Sequence, residues 1–438
     1  MLLKFLGGVK IKTKIALIGA GSASFGFGTI YDIVKSEPLH GSTLALIDID
    51  AEKLKLMEKV AEKLNTDFKA GLKIEASTDA KDVLDGSEFV IISAEKERIE
   101  RWKMDYEIPL KYGIKQVLGE NGGPGGLAHT LRVVPLILEI CKDIEDYCPD
   151  ALILNYTNPE GRVCLAIKRA TKLNVVGLCP GIYGKIRSLA SLLNINHEDL
   201  EAIAAGLNHF TWILELRFKN GKSAYPMLRE KLKNNPDFEP LSQELFYSFG
   251  YYPSPSDNHV GEYVPYAWEK VPEKVRGINW IKSCEEAAKK LEDTMSKLLT
   301  QSFSEEYLQK MRMEKGMAVN IITAIIENKR YLEYAVNIPN NGYITNLPQG
   351  VIVEVPAIVD SSGIRGVGIG ALPKGIAALV QLQAAITELS VEAAIEGSYE
   401  KALEALLIDP VVNNIDAAKA ILDEFLKVHA PLLPQFSK

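Results

Sequence analysis

The chain contains little cysteine and histidine, and it lacks an excess of basic residues. Its 438 residues include 5 cysteines and 6 histidines, and 57 acidic residues against 50 Lys and Arg give a formal net charge of -7. Binding to nucleic acid by counterion release needs a basic face, so this charge balance argues against a nucleic-acid partner. A small, odd number of cysteines in a long acidic chain argues against a disulfide framework.

The chain also lacks a long uninterrupted apolar run. The most apolar stretch, 375–395, is interrupted by Glu388 and Glu392, so we expect a packed helix there and no membrane span. Lys10 and Lys12 follow the first apolar residues too closely for a secretory signal. With 47% hydrophobic and 24% charged residues, the composition is that of a globular protein, and we expect it in the cytoplasm.

Short apolar runs alternate with helical patterns through the first half of the chain. Because parallel strands need long crossover connections, this alternation predicts an α/β fold with a doubly wound, Rossmann-like parallel sheet. The predicted strands are 14–19, 44–48, 72–77, 88–93, 151–156 and 174–179, and the predicted helices are 25–35, 51–64, a helix after 119–126, and 162–170.

The second half has a different pattern, from which we predict two domains: residues 1–203, a nucleotide-binding domain with the parallel sheet, and residues 204–438, a mixed α+β domain for catalysis and oligomer contacts. The elements predicted beyond the first domain are a strand pair near 204–217, a helix at 280–299, two or three strands within 331–359, and helices at 374–396, 398–407 and 416–429.

A glycine-rich turn follows the first predicted strand and opens a helix. Glycines there permit a tight turn and the close approach of a pyrophosphate to the backbone, while the helix amino end offers free N–H groups. An acidic residue ending the second strand suits the ribose hydroxyls and favours NAD over its phosphorylated form. A ligand-free turn is the alternative. The predicted cofactor-binding residues are Gly19, Gly21, Ser22, Ala23, Ser24 and Asp48, of which Ser24 replaces the third glycine of the usual pattern.

Two further loops carry polar side chains. In GENGGPGG (119–126), Glu120 is a candidate site carboxylate, although a plain turn with a solvated Glu is the alternative. In NYTNPEG (155–161), Asn158 follows a strand at its carboxyl end, where open α/β sheets bind their ligands. Asn158 is therefore a candidate for contacts to cofactor and substrate.

A cysteine and a histidine distant in sequence both follow predicted strands. Cys179 in GLCPG and His209 in GLNHFTW offer a thiolate and an imidazole, which suit a borderline divalent ion with open coordination positions. Spacing alone does not decide for a metal site, because a buried cysteine and a core histidine are common. Cys141, Cys148 and Cys284 fall in helical patterns and are expected to be core or neutral residues.

The segment SDNHVGEYVPYAWE (256–269) gathers titratable and aromatic side chains. The candidates for acid and base chemistry are Asp257, His259, Glu262, Tyr263 and Tyr266, and a surface aromatic loop is the alternative. No role is predicted for the other four histidines, which are His40, His129, His197 and His429.

Taken together and in this order, the segments of the chain resemble glycoside hydrolase family 4, whose members use NAD and a divalent metal. This family is an exception to the mechanism with two carboxylates that most glycosidases share. The segments that carry the resemblance are GAGSASF, LALIDID, EIPLKYG, GENGGPGG, TNPEG, GLC, GLNHFTW, HVGEYVPY, VEVPAIVD, ALLIDP and VHAPLLPQF.

The resemblance implies a redox-assisted elimination. Hydride passes from sugar C3 to NAD, a base removes the C2 proton, the C1 substituent leaves, water adds, and the hydride returns. Cys179 and His209 resemble the ligands of Mn²⁺, or of Co²⁺ or Ni²⁺, that polarises the sugar oxygens. Tyr263 matches the base, Glu120 the carboxylate that raises its basicity, and Asn158 a cofactor and substrate contact.

One departure concerns the proton donor to the leaving group. Some members use the residue after the ligand cysteine, but here it is Pro180, which carries no acid. The acid is then Asp257, His259 or a water molecule. The expected substrate is a small α-glycoside, either a uronide or a neutral hexoside. For a uronide carboxylate the candidate arginines are Arg98, Arg101 and Arg365.

Two other functions fit the same pattern. One is an NAD-dependent dehydrogenase of a sugar or hydroxy acid, and the other is a nucleotide-binding regulatory protein without turnover, motivated by Pro180. The family likeness also implies a homodimer or homotetramer.

Overall fold

The computed structural model describes residues 12–22, 25–310 and 316–437. Strands and helices alternate in the first half of the chain, as predicted. They are β1 (Lys14–Ile18), α1 (Gly26–Lys35), β2 (Thr43–Ile47), α2 (Ala51–Asp67), β3 (Lys73–Ser77), β4 (Phe89–Ile92), α3 (Arg98–Lys111), α4 (Gly123–Tyr147), β5 (Leu152–Asn155), α5 (Glu160–Ala170), β6 (Asn174–Gly177) and α6 (Gly181–Leu193).

The second half begins with a hairpin and ends in three helices, again as predicted, and the predicted strands within 331–359 form two long strands. Its elements are β7 (Leu200–Leu207), β8 (Phe210–Phe218), α7 (Tyr225–Lys233), α8 (Pro240–Phe249), β9 (Tyr252–Ser254), α9 (Asp257–Val260), α10 (Gly277–Leu298), α11 (Glu305–Lys310), α12 (Met317–Glu327), β10 (Tyr331–Pro339), β11 (Ile352–Asp360), β12 (Gly363–Gly366), α13 (Lys374–Glu396), α14 (Tyr399–Ile408) and α15 (Ile415–Val428).

One 12-stranded sheet runs through the described residues. The first six strands are parallel in the order β3-β2-β1-β4-β5-β6, and β10, β11, β7, β8 and β9 extend the sheet beyond β6 in antiparallel pairs. The twelfth strand, β12, pairs with β11. The six-strand order is that of dinucleotide-binding folds, whose ligands bind where the strand order reverses. The predicted α/β class is thus confirmed. The predicted domain boundary after residue 203 falls within β7.

Strand β1 shows why these strands are apolar throughout. Ile15 and Leu17 pack against α1, α2 and α12, whereas Ala16 and Ile18 pack in a second cluster with α4, α5, α13 and α14. Successive side chains of a strand point to opposite faces, and here helices cover both faces. The helix α13 is long and apolar enough to span a membrane by composition, but 50% of its most apolar window is buried in the protein.

The loops after the parallel strands all lie at the carboxyl edge of the sheet. There the turn after β1 contacts the loop after β4 through Ser22 and Ser93, and that loop contacts the loop after β5 through Ala94 and Thr157. Cys179, in the loop after β6, lies close to Asn208 in the hairpin turn between β7 and β8. That turn is Asn208 and His209, and His209 has φ +60, a left-handed conformation that is uncommon outside glycine. Strained backbone of this kind is typical of functional sites.

A buried carboxyl lies on β10, away from these loops. Glu333 has no exposed surface and accepts hydrogen bonds from the hydroxyls of Tyr183 at 2.5 Å and Tyr331 at 3.3 Å. Burial raises the pKa of Glu333 to about 7, although these donors act in the opposite direction. The folded state therefore binds more protons than the unfolded state between pH 4.5 and about 7.

The sign of this difference means that Glu333 lowers stability as pH rises through that window. Because Gln does not ionise, we expect Glu333→Gln to abolish a loss of up to about 3 kcal/mol in the free energy of unfolding as pH rises. The Tm of the variant, relative to that of the unmodified protein, should therefore be higher at pH 8 than at pH 5. Thermal denaturation at both pH values measures this, with the exposed Glu404→Gln as control. An unchanged pH slope in Glu333→Gln would contradict the assignment.

Candidate active site

The turn between β1 and α1 has the shape that a pyrophosphate needs. Gly19 has φ +83, and a Cβ there would lie 2.1 Å from the carbonyl oxygen of Ser93. The N–H of Gly21 donates to Oδ2 of Asp48 at 2.8 Å, and the Oδ1 of Asp48 accepts from the N–H of Asp50 at 2.9 Å. Asp48 is thus fixed beside the glycine turn, where the sequence predicts the ribose contact.

The third glycine of the turn is Gly26, which the sequence pattern did not reveal. A Cβ on Gly26 would lie 2.1 Å from the carbonyl oxygen of Ala20, so this glycine allows the close packing of helix on strand that the usual third glycine provides. The hydroxyl of Ser22, another predicted cofactor residue, accepts a hydrogen bond from Ser93 at 2.9 Å. The predicted contacts Ala23 and Ser24 lie outside the described residues. The turn therefore fits a dinucleotide.

The glycine-rich loop before α4 is held by a buried carboxylate. The Oε1 of Glu262 accepts from the backbone N–H groups of Glu120 at 2.5 Å and Asn121 at 2.9 Å. A Cβ on Gly122 would lie 2.8 Å from the Cβ of Glu262, which explains why glycine is needed at that position. Burial, followed by Glu120, raises the pKa of Glu262 to about 8. This contact joins two segments far apart in sequence.

The carboxylate of Glu120 is oriented by two side chains. Arg98 forms an ion pair with Glu120 and a second with Glu95, and the amide of Asn158 donates to Glu120 Oε1 at 3.2 Å. Burial opposes the ionisation of Glu120. The charge of Arg98, together with the neighbouring histidines, outweighs burial, so the pKa of Glu120 is lowered. Glu120 is therefore a buried anion. Asn158 contacts it directly, as expected of two site residues from separate loops.

His129 also belongs to this network, although the sequence suggested no role for it. Its Nδ1 donates to the carbonyl oxygen of Glu120 at 2.8 Å, and its Nε2 lies 3.0 Å from Oε1 of Glu95. Burial by itself raises the pKa of the Glu95 carboxyl. The charge of Arg98, followed by that of His129, outweighs burial and lowers this pKa to about 2. Because His129 lies within a long helix, no local sequence signal distinguishes it from a core residue.

Glu120, His209 and His259 form a donor set for a metal ion. Each offers one ligand atom within 4.8 Å of the other two, and the two imidazole rings meet edge to face at 4.5 Å. Burial, followed by the ring of His259, lowers the pKa of His209 to about 3, so this imidazole is neutral and has a lone pair for a ligand. Two imidazoles and a carboxylate suit a borderline divalent ion.

Hydrogen bonds around the two rings determine which nitrogen faces the metal. The Nδ1 of His259 lies 2.8 Å from Oδ1 of Asn258 and donates to it, which leaves Nε2 without a proton. The amide of Asn121 lies 2.8 Å from Nδ1 of His209, and its Oδ1 has no partner within the described chain. With the Asn121 amide turned by 180°, its oxygen accepts a hydrogen bond from Nδ1 of His209. The Nε2 of His209 then has no proton and is free to bind a metal.

Cys179 lies outside this three-residue group, in the loop between β6 and α6. Burial, followed by Glu354, raises the pKa of its thiol well above the usual value, while the N–H of Gly181 and the side chain of Asn208 act in the opposite direction. Asn208 also donates to Oε2 of Glu354 at 3.1 Å. Asn208 thus connects Cys179 with Glu354 and immediately precedes His209. Because the pKa of the Cys179 thiol is raised, the thiolate forms at neutral pH when a metal ion displaces the proton.

Tyr263 lies at the inner wall of the site. Its ring stacks on Phe210 with 4.9 Å between centroids, and its hydroxyl donates to the carbonyl oxygen of Asn208 at 3.4 Å. Burial and then Glu262 raise the pKa of Tyr263 well above the usual value, and Arg162 acts in the opposite direction. A base role for this tyrosine therefore depends on positive charge nearby.

Two predicted site residues lie apart from the cluster. The carboxylate of Asp257 accepts from the N–H groups of Leu241 at 2.9 Å and Ser242 at 2.8 Å, so it holds the amino end of α8. Arg101 pairs with Glu97 and donates to the carbonyl oxygen of Val428 at 2.7 Å. The roles predicted for these two side chains stay predictions without support from their surroundings.

The fold and the side chains at its carboxyl edge define a class: an α/β enzyme with a dinucleotide turn beside a donor set for a divalent metal. The chain belongs to the family 4 glycosyl hydrolases. The family model "Family 4 glycosyl hydrolase" matches residues 14–195, and the model of the family's C-terminal domain matches residues 204–412. The predicted family and the predicted class of enzyme, a glycoside hydrolase, are thus confirmed.

Relatives of known activity align over nearly the whole chain. It is 37% identical to an alpha-glucosidase of Erwinia rhapontici, over 96% of this chain and 99% of that protein. It is 31% identical to an alpha-galactosidase of Bacillus subtilis, over 97% and 99%. Among solved structures, a 6-phospho-alpha-glucosidase from gut microorganisms in complex with NAD and Mn²⁺ superposes with a TM-score of 0.83 at 24% identity, covering 98% of this chain and 100% of that one.

We expect the donor set to bind Mn²⁺. His259→Ala removes one of three donors and should weaken Mn²⁺ affinity by at least about 10-fold, and chelation should lower the Tm of the unmodified protein more than that of the variant. Isothermal titration and thermal denaturation measure these effects. The exposed His197→Ala is the control and should bind as the unmodified protein does. Unchanged affinity in His259→Ala would exclude this imidazole as a ligand.

Proposed function

We propose that the chain hydrolyses α-glycosides of neutral hexoses with bound NAD and Mn²⁺, through transient oxidation at C3 and elimination across C1 and C2. One observation carries the proposal: Glu120, His209 and His259 lie together near the buried Tyr263. They lie at the edge of a sheet that also carries the glycine turn for a dinucleotide. When bound, NAD accepts and returns a hydride, and the divalent ion polarises the C2 and C3 oxygens.

The residues of this chain hold the two groups and the sugar. The turn at Gly19 and Gly21 admits the pyrophosphate, and Asp48 receives the ribose hydroxyls, which favours NAD over its phosphorylated form. His209, His259 and Glu120 would ligate the metal, since their ligand atoms lie within 4.8 Å of one another. Cys179, in the loop after β6, is the further ligand that the family resemblance implies. Cobalt or nickel would satisfy the same donor atoms.

Tyr263 is the proposed base that takes the C2 proton. Its side chain is only 6% exposed, which shields it from bulk water, and the negative Glu120 is close enough to raise its basicity. An ordinary tyrosine has a pKa of about 10, so the phenolate forms near neutral pH only if positive charge stabilises it. Asn158 donates to Glu120 and orients it toward the sugar.

We assign protonation of the leaving group to a water molecule. Pro180 carries no acid, and the carboxylate of Asp257 is occupied by two N–H groups of α8. His259 lies in the site, but its Nδ1 donates to Asn258, so Nε2 carries a lone pair that suits a ligand better than an acid.

Two of the arginines considered for a uronide carboxylate, Arg98 and Arg365, favour a neutral sugar. Arg98 is paired with Glu95 and Glu120, and Arg365 is paired with Asp360, so neither guanidinium is free for a substrate carboxylate. The relatives with the highest identities reported above are an alpha-glucosidase and an alpha-galactosidase. We therefore propose a gluco- or galacto-configured α-hexoside.

Cytoplasmic location and assembly into a homodimer or homotetramer are part of the same proposal. All 5 cysteines lie within the described residues with free thiols, which agrees with a reducing compartment and with a thiolate ligand at Cys179.

The reaction type is tested with aryl α-glucoside, α-galactoside, α-glucuronide and 6-phospho-α-glucoside, each with NAD, Mn²⁺ and a thiol reductant in deuterated water. We expect cleavage of a neutral hexoside without net NADH, and deuterium at C2 of the product. Stoichiometric NADH without bond cleavage would establish the alternative, a dehydrogenase. Absence of both would support the non-catalytic alternative.

The thiol ligand is tested by Cys179→Ser. Because a hydroxyl does not ionise as a thiol does, we expect Mn²⁺ affinity and turnover to fall by more than about 10-fold. Metal titration and steady-state rates measure this, with Cys284→Ser in helix α10 as the matched control. If Cys179→Ser bound Mn²⁺ and turned over normally, the cysteine would have no part in the site.

A further inference from the structure

A small cavity lies behind Tyr263, on the side of the helices α5 and α13. It has a volume of about 30 Å³, and its walls include Tyr263, Arg162, Glu160, Asn121 and Asn208. A cavity of this size holds about one water molecule when polar groups line it.

Arg162 is a buried cation without a paired carboxylate among the described residues. Its side chain is 3% exposed, and Nη1 donates to Oγ1 of Thr130 at 2.9 Å. In the part of the chain that the structure describes, no carboxylate oxygen lies within 4.0 Å of this guanidinium. Burying a charge without a partner is costly, and a fold retains such a charge where it has a use.

The cavity wall also includes a carboxyl group with an unpartnered oxygen. Glu160 is 1% exposed, and its Oε2 has no hydrogen-bond partner among the described residues. Arg162 offers further N–H donors on the same cavity. Donors and acceptors thus surround a space for one water, next to the ring of Tyr263.

The charges around Tyr263 come from several elements. Burial and then Glu262 raise the pKa of its phenol, Arg162 on α5 lowers it, and Glu120 and Cys179 raise it further. Arg162 itself lies within electrostatic range of Asp409 and Glu262 as well as Tyr263. Among these groups of the chain, Arg162 is the cation that favours the phenolate form.

We propose that Arg162 is a positioning residue for the reaction: its buried charge, on the wall of the same cavity as Tyr263, lowers the cost of forming the Tyr263 phenolate that takes the C2 proton. In that step the C2–H bond breaks, the proton bonds to the phenolate oxygen, and the electron pair remains on the carbon next to the C3 carbonyl. An arginine suits this role because it stays charged at any working pH. The inference rests on the proposed function, since it takes Tyr263 as the base.

The test compares Arg162→Met, which removes the charge, with Arg162→Lys, which keeps it, using glycosides that carry deuterium at C2 or at C3. We expect Arg162→Met to lower kcat by roughly 100-fold, while Arg162→Lys stays within about 10-fold of the unmodified enzyme. In Arg162→Met the isotope effect from C2 should rise and that from C3 should fall, because proton removal becomes the slower step.

Arg169→Met is the matched control, since Arg169 is an exposed residue on the same helix that pairs with Glu388 and Glu392. It should leave kcat and both isotope effects unchanged. Thermal denaturation shows whether each variant is folded. In Arg162→Ala, added guanidinium should restore kcat in proportion to its concentration, which a merely structural loss would not permit.

Two outcomes overturn the inference: normal turnover in Arg162→Met, or a slower variant whose isotope effects match those of the unmodified enzyme. Either result leaves the proposed function standing if the unmodified enzyme still exchanges C2 hydrogen with solvent. If the unmodified enzyme shows no exchange at C2 and no isotope effect from C2, the proposed function fails and the inference fails with it.

Discussion

The site depends on the contact between Glu262 and the backbone of the glycine-rich loop. One carboxylate oxygen accepts N–H groups from Glu120 and Asn121, and Gly122 packs directly against the glutamate side chain. This contact fixes the loop that carries Glu120 against the segment that carries His259. Since the same loop supplies Asn121 to His209, all three metal donors take their positions from it.

The electrostatics of the site follow from burial. Almost every titratable side chain there is removed from water, so its ionisation is decided by the nearest fixed charge. Arg98 keeps Glu120 ionised, whereas Glu262, which contacts no cation among the described residues, has its pKa raised to about 8 by burial and by Glu120. The net charge of -7 says nothing about this balance, because the site contains its own positive groups.

The sequence was sufficient for the fold class and for the family. Alternating apolar runs predicted the parallel sheet, and the glycine turn with Asp48 predicted the nucleotide site, because both signals lie within one βαβ unit. Gly26, His129 and Arg162 escaped prediction, since their roles come from neighbours distant in sequence. A buried arginine on a helix reads as a surface charge until the packing around it is known.

The bond from the N–H of Gly21 to Asp48 has a consequence for cofactor preference. Because the turn itself anchors this carboxylate, a ribose 2′-phosphate would meet a negative charge that cannot rotate away. Replacement of Asp48 by a neutral residue removes that repulsion, but it also leaves the Gly21 N–H without its acceptor and loosens the turn. A change toward NADP in this chain therefore requires a new acceptor for the turn together with a new cation for the phosphate.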